Sequence, residues 1–302
     1  MKVCFVGCGS IGRRHINNLQ SVCSDRKNNL EIHLLRSGRK PVEGIYFNKE
    51  LFSIEELDEE YDAIFITNPT FLHYDTLKQI ISYSDSFFVE KPVFDSVEYD
   101  YSFVKDNKKI YVACPLRYTG VISSINEFID VDNIFSVRAI CSSYLPDWRP
   151  NIDYRQCYSA HTSQGGGVGI DLIHEWDYLT SLFGFPDEVS SLSSKVSELE
   201  IDSEDIALYI AKYKNLTLEL HLDYFGRVPR RECELYSSEY VYKLDLINNC
   251  IIRNGEVVFS TNEDANDKYI REMIHFLDYI EGYKENSNDI DNAIRVMKLA
   301  YS

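Results

Sequence analysis

Four groups of residues in this 302-residue chain have types and spacing that suit ligand binding or proton transfer. The first is a Gly-x-Gly-x-x-Gly run at Gly7, Gly9 and Gly12, with Ser10 and Ile11 between the last two glycines. It follows a continuous apolar run and precedes a helical pattern, the context in which this spacing predicts a loop that binds a dinucleotide pyrophosphate. Gly7 would allow the tight turn, Gly9 a close approach of phosphate, and Gly12 close packing of the helix on the strand. A tight turn that binds no ligand is the alternative interpretation.

The end of the second predicted strand bears on which dinucleotide binds. An NAD-binding fold usually places an acidic residue there to accept the ribose 2′-hydroxyl. Here Arg36, Ser37 and Arg39 take its place, followed by Lys40. Cations and a hydroxyl suit a 2′-phosphate, so we predict that NADP is preferred to NAD. A solvated basic loop is the alternative.

Polar residues also follow the next two predicted strands. Asn68-Pro69, with His73 behind it, comes after one strand, and Glu90-Lys91-Pro92 comes after the other. Because ligands of open α/β sheets bind beyond the carboxyl ends of the strands, both motifs are predicted to lie near the ligand. The following proline holds Lys91 in extended geometry and so directs its ammonium group. A surface lysine beside a turn is the alternative.

The last group is a glycine run at 165–167 followed by a predicted helix over 168–183. Its apolar residues form one stripe, and Asp171, His174 and Tyr178 fall on nearly the opposite face. An Asp–His pair three residues apart that faces away from the packing stripe is a candidate for acid/base chemistry. A structural or solvated histidine is the alternative.

The chain up to about residue 118 alternates predicted strands and helices, which predicts a doubly wound parallel sheet. After about residue 118 the strands follow one another with short polar links, which predicts a mostly antiparallel open sheet. The fold class is therefore α/β, with a dinucleotide-binding domain at 1–118 and a second α/β domain at 119–302. A late helix, from about Asp267 to Tyr283, is predicted in the second domain.

Composition excludes several classes of protein. Hydrophobic residues at 44% and charged residues at 26% exclude a disordered or fibrous chain. A net charge of −17 opposes binding to nucleic acid and to anionic membranes, so neither is a predicted partner. No apolar run reaches the ~18 residues of a membrane span, and the N-terminus leads directly into a strand, which predicts no signal peptide. Eight cysteines without a C-x-x-C pair predict free thiols, no metal site and a cytoplasmic location.

Taken together and in order, GCGSIGRRH, TNPTFLH, EKP and GGGVGIDLIHEWDYL resemble the Gfo/Idh/MocA family of nicotinamide-dependent oxidoreductases. The resemblance implies a Rossmann domain and a second domain whose open sheet often mediates oligomerisation, here a homodimer or homotetramer. It implies that Lys91 contacts the reacting hydroxyl and that Asp171 and His174 form the acid/base pair. Many members place that Asp and His four residues apart, whereas the interval here is three. Which of the two transfers the proton therefore stays open.

The substrate is predicted to be a carbohydrate. The segments 144–150 and 153–161 contain aromatics, Tyr154 among them, that suit sugar rings, and Arg149 and Arg155 could bind a carboxylate or phosphate. The resemblance adds Arg117 and Tyr118 near the substrate. It also suggests a sugar, sugar acid or nucleotide-linked sugar of surface-polysaccharide or sialic-acid-like biosynthesis. An interdomain loop whose arginines pair with Asp147 or Asp153 is the alternative.

Two other functions remain open at this point. A regulatory protein could bind the dinucleotide as a signal without catalysis. An enzyme could also use the nicotinamide within each turnover, for elimination, epimerisation or glycoside cleavage.

Overall fold

The computed structural model describes residues 1–58, 60–149 and 151–302, which divide into two compact units. The first unit comprises Met1–Cys114 and Asn266–Ile294, and the second comprises Pro115–Ala265 and Arg295–Ser302. In chain order the elements are β1 (Lys2–Val6), α1 (Ser10–Asp25), β2 (Glu31–Leu35), β3 (Lys49–Leu51), β4 (Ala63–Ile66), α2 (His73–Ile80), β5 (Ser86–Val89), β6 (Lys109–Val112), α3 (Gly120–Ser123), α4 (Ile125–Phe128), β7 (Ser136–Tyr144), α5 (Val168–Asp171), α6 (His174–Phe183), β8 (Glu188–Ser194), β9 (Ile206–Lys212), β10 (Thr217–Asp223), β11 (Phe225–Tyr236), β12 (Val241–Asp245), β13 (Cys250–Arg253), β14 (Glu256–Ser260), α7 (Asp267–Ile280) and α8 (Ile290–Ala300).

The sheet of the first unit is parallel, with strand order β3-β2-β1-β4-β5-β6. This order reverses beside β1, and in such sheets the ligand binds at that switch point, beyond the carboxyl ends of the strands. The predicted doubly wound parallel sheet is confirmed. The sequence did not indicate β3, because its three residues, Lys-Glu-Leu, contain no apolar run.

Aromatic rings build the core of the first unit. Phe5 of β1 stacks on Phe65 of β4 with ring centroids 4.3 Å apart, and Phe88 of β5 lies 5.4 Å from Phe65. Phe276 of α7 packs edge-on against both Phe65 and Phe88. The predicted division at residue 118 placed this helix in the second domain, and that was wrong. Its apolar stripe showed a packing face, but not which sheet the face covers.

The sheet of the second unit has eight strands in the order β14-β13-β12-β11-β7-β10-β9-β8. Its pairs are antiparallel apart from β7 with β10, so the predicted mostly antiparallel sheet is confirmed. Alternate side chains point to a buried face, where Trp176 of α6 packs edge-on against Tyr209 of β9. The other face is more open, and Ile210 of β9 is 66% exposed. Asn254 and Gly255 both have positive φ, as the predicted hairpin between β13 and β14 requires.

All eight cysteines lie in the described residues and are free thiols, as predicted. In the same part of the chain, no helix is both long enough and apolar enough to cross a membrane.

Candidate active site

The glycine loop joins β1 to α1 in the first unit. Gly7 has a φ of +95°, and a Cβ there would lie 2.7 Å from the backbone nitrogen of Asn68. A Cβ on Gly12 would lie 2.7 Å from Thr67 Oγ1, so this position needs glycine for close packing of α1. By contrast, no atom of the described residues lies within 4 Å of a Cβ on Gly9. The loop therefore packs tightly at its two ends and leaves open space at its centre.

That open space lies at the amino end of a 16-residue helix. Ser10 and Ile11 form the first turn of α1, and Gly9 is its N-cap. The first turn contains no acidic residue, so the amide groups and the helix dipole favour an anion there.

The basic segment after β2 contains an acidic partner that the sequence did not indicate. Arg36 Nε donates to Glu50 Oε1, and Glu50 belongs to the neighbouring strand β3. Ser37 and Arg39 are exposed, and the Arg39 guanidinium lies 4.7 Å from the centroid of the Phe52 ring. The expectation of a site with cations and no acid is thus corrected, because β3 brings a carboxylate to the end of β2.

His73 braces the turns that follow β4 and β5. It is buried, with Nε2 2.9 Å from the Asn68 carbonyl and Nδ1 3.1 Å from the Pro92 carbonyl. Burial lowers the pKa of His73, although these carbonyls act in the opposite direction. The prediction that His73 contacts the cofactor is therefore corrected, because both ring nitrogens face backbone carbonyls.

Asn68 is placed differently. Its Nδ2 donates to Thr76 Oγ1 at 2.8 Å, while its Oδ1 is buried without a hydrogen-bond partner among the described residues. Pro69, which follows it, is exposed at the N-cap of a short 3-10 turn.

Glu90 also acts as a brace, meaning that its hydrogen bonds join two separate segments of the first unit. Its Oε1 lies 2.5 Å from Nε2 of His15 on α1, and its Oε2 accepts the backbone N–H of Lys91 at 3.1 Å. Burial by itself raises the pKa of Glu90, but the hydrogen bond and charge of His15, together with the Lys91 charge, outweigh it and lower the pKa. The predicted cofactor contact of the Glu90 side chain is corrected, since both oxygens serve the protein. Lys91 itself is half-buried and precedes Pro92 through a cis peptide bond.

In the second unit, the glycine run accommodates other parts of the chain. A Cβ on Gly166 would lie 2.1 Å from the Tyr158 carbonyl, and one on Gly167 would lie 2.0 Å from Glu204 Oε1. Gly167 also has a φ of +144°, which side-chain-bearing residues rarely adopt. The run is therefore required for these close approaches.

The helix predicted over 168–183 is interrupted. α5 ends at Asp171, Leu172 leaves the helical region, and α6 begins at His174. Tyr178, placed by periodicity on an open polar face, is fully buried. The angular argument that grouped Asp171, His174 and Tyr178 was wrong, because a spacing of 100° per residue holds only along an unbroken helix.

Asp171 lies beside two tyrosines that the site prediction did not contain. Tyr224, which directly follows β10, donates from Oη to Asp171 Oδ2 at 2.6 Å, and the Tyr158 hydroxyl lies near the same carboxylate. Burial and the Asp171 charge raise the pKa of both phenols. The Asp171 side chain is buried, whereas the Tyr158 side chain is 41% exposed. Tyr158 lies within a segment that the sequence marked for substrate, but nothing in the sequence pointed to Tyr224.

Two buried ion pairs fix α6 immediately after His174. Glu175 Oε1 lies 2.8 Å from Arg231 Nε, and Asp177 accepts from Arg117 Nε and Nη2 at 2.9 and 2.7 Å. One edge of the Arg117 guanidinium is thus bound to Asp177, and the predicted substrate contact of Arg117 stays a prediction. Tyr118, the next residue, is half-buried in the same 3-10 turn.

The predicted substrate segments contain two arginines: Arg149, whose Nη1 donates to Cys157 Sγ at 3.8 Å, and Arg155, which has acidic partners. Arg149 lies 5.9 Å from the centroid of the Tyr158 ring and lines a small cavity with Trp148 and Tyr154. Arg155 is exposed and pairs with Asp153 and Glu200, so its prediction as a substrate ligand is corrected. Pro150, at the end of the first segment, lies outside the described residues.

Glu204 is a further carboxyl group that the sequence did not indicate. It is half-buried beside the glycine run, and burial, together with the nearby charge of Asp171, raises its pKa. Among the described residues, no group of three or more His, Cys, Asp or Glu side chains is placed to hold a metal ion.

With this geometry established, comparison with known proteins gives the family. Residues 1–109 match the Gfo/Idh/MocA family model, described as an oxidoreductase family with an NAD-binding Rossmann fold. The N-terminal domain belongs to the Gfo/Idh/MocA oxidoreductase family. Comparison with curated protein sequences gave no match.

Solved structures share the fold of this chain over its whole length. UDP-N-acetylglucosamine 3-dehydrogenase GnnA from Acidithiobacillus ferrooxidans superposes with a TM-score of 0.76 at 18% identity, covering 100% of this chain and 95% of that one. An oxidoreductase from Agrobacterium radiobacter in complex with NAD+, L-tartaric acid and magnesium gives 0.80 at 14%, covering 100% and 94%. GenD2 from gentamicin A biosynthesis, in complex with NAD, gives 0.77 at 15%, covering 100% and 92%. At these identities the likeness shows the fold.

The residues of the Gfo/Idh/MocA domain fit the NAD of the family description. The space over Gly9 is open, and the amino end of α1 lacks an acidic side chain. Asn68 Oδ1 is a buried acceptor without a hydrogen-bond donor among the described residues. When bound, the dinucleotide would be held at its pyrophosphate by the loop from Gly7 to Gly12.

Proposed function

We propose that this protein transfers a hydride between NAD(P) and a carbinol of a sugar, sugar acid or nucleotide-linked sugar. The observation that carries the proposal is the support built around Asp171, which accepts a hydrogen bond from Tyr224 and lies near the Tyr158 hydroxyl. A protein that only senses a dinucleotide would not need a buried carboxylate held in this way. The Gfo/Idh/MocA motif also retains Lys91 and His174.

Each of the three residues has a role in this reaction. His174 takes the proton of the substrate hydroxyl, and Lys91 stabilises the developing alkoxide by its charge. Asp171, whose carboxylate already accepts the Tyr224 hydroxyl, suits the orientation of His174 better than uptake of the substrate proton. The nicotinamide ring supplies the hydride acceptor or donor when the dinucleotide is bound.

A carbohydrate substrate is supported by the second unit and by two relatives of the same fold. Trp148 and Tyr154 lie beside Arg149 in the second unit, and aromatic faces with one cation suit a sugar that carries an acid or phosphate group. GnnA is a dehydrogenase of UDP-N-acetylglucosamine, and GenD2 belongs to gentamicin A biosynthesis. We infer a related sugar class here, with a place in surface-polysaccharide or sialic-acid-like biosynthesis.

We also propose a preference for NADP over NAD. Ser37 and Arg39 are exposed after β2, and Arg39 has no acidic partner among the contacts of the described residues. They would meet a 2′-phosphate, while Arg36 is shared with Glu50.

Assembly and location complete the proposal. The open face of the second sheet carries exposed apolar side chains, among them Leu192, Ile210 and Val257. Burial of this face in a homodimer or homotetramer would remove that surface from water. Light scattering on the purified protein measures the assembly. Free thiols at all eight cysteines support a cytoplasmic location.

The experiment that tests the activity is a screen of sugar acids and nucleotide sugars with the purified protein and NADP+ or NAD+. We expect an increase in absorbance at the reduced nicotinamide band with one substrate class. Reduced dinucleotide formed in stoichiometry with substrate consumed supports net oxidation. Substrate consumed without reduced dinucleotide would favour elimination, epimerisation or glycoside cleavage. Dinucleotide binding with no turnover of any substrate would favour a regulatory protein.

A further inference from the structure

Strand β3 brings Glu50 to the end of β2, where the adenosine ribose of a bound dinucleotide lies in this fold. The two strands are parallel, with Leu34 opposite Glu50 and Leu35 opposite Leu51. Because side chains alternate along a strand, Arg36, two residues after Leu34, projects to the same face as Glu50. The acid that β2 lacks is therefore supplied by the next strand.

Glu50 and Arg36 form a partly buried ion pair. Arg36 Nε donates to Glu50 Oε1, and Arg36 Nη2 donates to the Lys40 carbonyl. The two side chains are 12% and 28% exposed for Arg36 and Glu50 respectively. Much of the Arg36 hydrogen-bonding capacity is thus committed within the protein, and its charge is balanced by Glu50.

The pair also lies close to the glycine loop. The Gly7 N–H donates to the Leu35 carbonyl at 2.9 Å, and the Arg36 N–H donates to the Leu51 carbonyl at 3.0 Å. The glycine loop is therefore joined to the end of β2, and the end of β2 to the strand that carries Glu50. A carboxylate at this place accepts hydrogen bonds from ribose hydroxyls and repels a 2′-phosphate.

We propose that Glu50 is a specificity-determining residue for the dinucleotide, favouring a ribose 2′-hydroxyl and opposing a 2′-phosphate. The proposal rests on the dinucleotide binding of the proposed function. It implies that the preference for NADP, which Ser37 and Arg39 create, is smaller than the count of cations after β2 suggests. Removing the charge of Glu50 should widen that preference, and removing the charge of Arg36 should narrow it.

The test is calorimetric titration of the full-length protein with NAD+ and with NADP+, for Glu50→Gln and for the unaltered chain. Glutamine keeps the shape of the side chain and removes its charge. We expect the affinity ratio of NADP+ to NAD+ to rise about tenfold, the size of one favourable charge interaction. Arg36→Gln leaves the negative charge of Glu50 without its cation. The affinity ratio of NADP+ to NAD+ for this variant should therefore fall below that of the unaltered protein.

Glu31→Gln is the matched control, because Glu31 lies at the opposite end of β2. Its ratio should stay within about twofold of the unaltered protein. Titration with adenosine 2′,5′-bisphosphate and with AMP repeats the comparison on the adenosine end alone, and does not depend on the nicotinamide. Unchanged ratios in Glu50→Gln, with both variants folded by circular dichroism, overturn the role of Glu50 while leaving the proposed function intact. Binding of neither dinucleotide by the unaltered protein overturns both.

Discussion

The two units support their candidate functional residues in different ways. In the first unit both members of the main brace lie inside recognisable motifs: His15 ends GCGSIGRRH and Glu90 begins EKP. In the second unit only one member does. Asp171 is held by Tyr224, 53 positions further along the chain, and Glu175 is held by Arg231 on β11. Motifs therefore reveal the braces of the first unit, whereas the supports of the second come from strands without a motif.

The largest expected effect tests how much Arg231, which lies on a strand without a motif, contributes to the free energy of unfolding. Arg231→Ala leaves Glu175 buried without its cation, and breaking a buried pair costs about 3–5 kcal/mol. The adjacent Arg230 is the control, because it is exposed and pairs with Glu232 at the surface. Arg230→Ala should cost less than about 1 kcal/mol. Urea unfolding of the two variants measures both values, and equal losses would show that the buried pair does not support α6.

The next effect concerns one proposed catalytic residue from each unit. Lys91→Ala and His174→Ala should each lower kcat by about 10²-fold or more, since one removes alkoxide stabilisation and the other removes the proton acceptor. Lys212→Ala and His221→Ala on the second sheet are matched controls and should retain activity. Steady-state kinetics with the substrate found in the screen gives the comparison. Full activity in either Lys91→Ala or His174→Ala refutes the role of that residue.

A smaller effect tests the tyrosine that donates to Asp171. Tyr224→Phe keeps the ring, which packs edge-on against Trp148, and removes one hydrogen bond to a carboxylate. We expect kcat to fall about tenfold, because a hydrogen bond to a charged group contributes about 1.5–3 kcal/mol. A positioning role predicts that KM stays within about twofold. Tyr240→Phe, on the far edge of the second unit, controls for loss of a phenol, and a change in KM alone would contradict the role.

The sequence predicted most of the first unit because its signals are local. A buried parallel strand reads as an apolar run, and the glycine spacing needs only six consecutive residues to indicate a turn from strand to helix. It did not indicate β3, and with it Glu50, since three residues of mixed character contain no periodicity. It also assigned His73 and Glu90 to the ligand, because a motif shows that a polar residue is near the strand ends but not which way its hydrogen bonds run.

The second unit was predicted less well for a different reason. The strands were found by their composition, and Asp171 and His174 were found by resemblance to the family. The break at Leu172 was not predicted, because periodicity assumes one continuous helix, while Glu175 and Asp177 are held by ion pairs to residues about 60 positions away. Arg117 was assigned to the substrate by resemblance to the family, and its partner Asp177 is 60 positions away. Arg155 pairs with Asp153, as the alternative interpretation of its segment expected, and also with Glu200.

The smallest effect tests the brace of the first unit through its pH dependence. The pKa of Glu90 lies below its usual value of 4.5 in the folded protein. The unfolded chain therefore binds this proton at higher pH than the folded chain does, so the stability that Glu90 contributes is present above about pH 4.5 and is lost as the pH falls through the folded pKa. Glu90→Gln should be less stable than the unaltered protein at pH 7, and the difference should shrink as the pH is lowered below about 4.5.

Urea unfolding of both proteins between pH 7 and about pH 3.5 measures that difference. Glu219→Gln is the control, because Glu219 pairs with Arg138 at the surface and its loss should cost less than about 1 kcal/mol throughout. A constant gap between Glu90→Gln and the unaltered protein would mean that packing, and not the charge shared with His15, makes Glu90 stabilising. A gap that closes at low pH would show that the ion pair ties α1, which follows the glycine loop, to the turn that carries Lys91. The brace would then link the two motifs of the first unit energetically as well as in space.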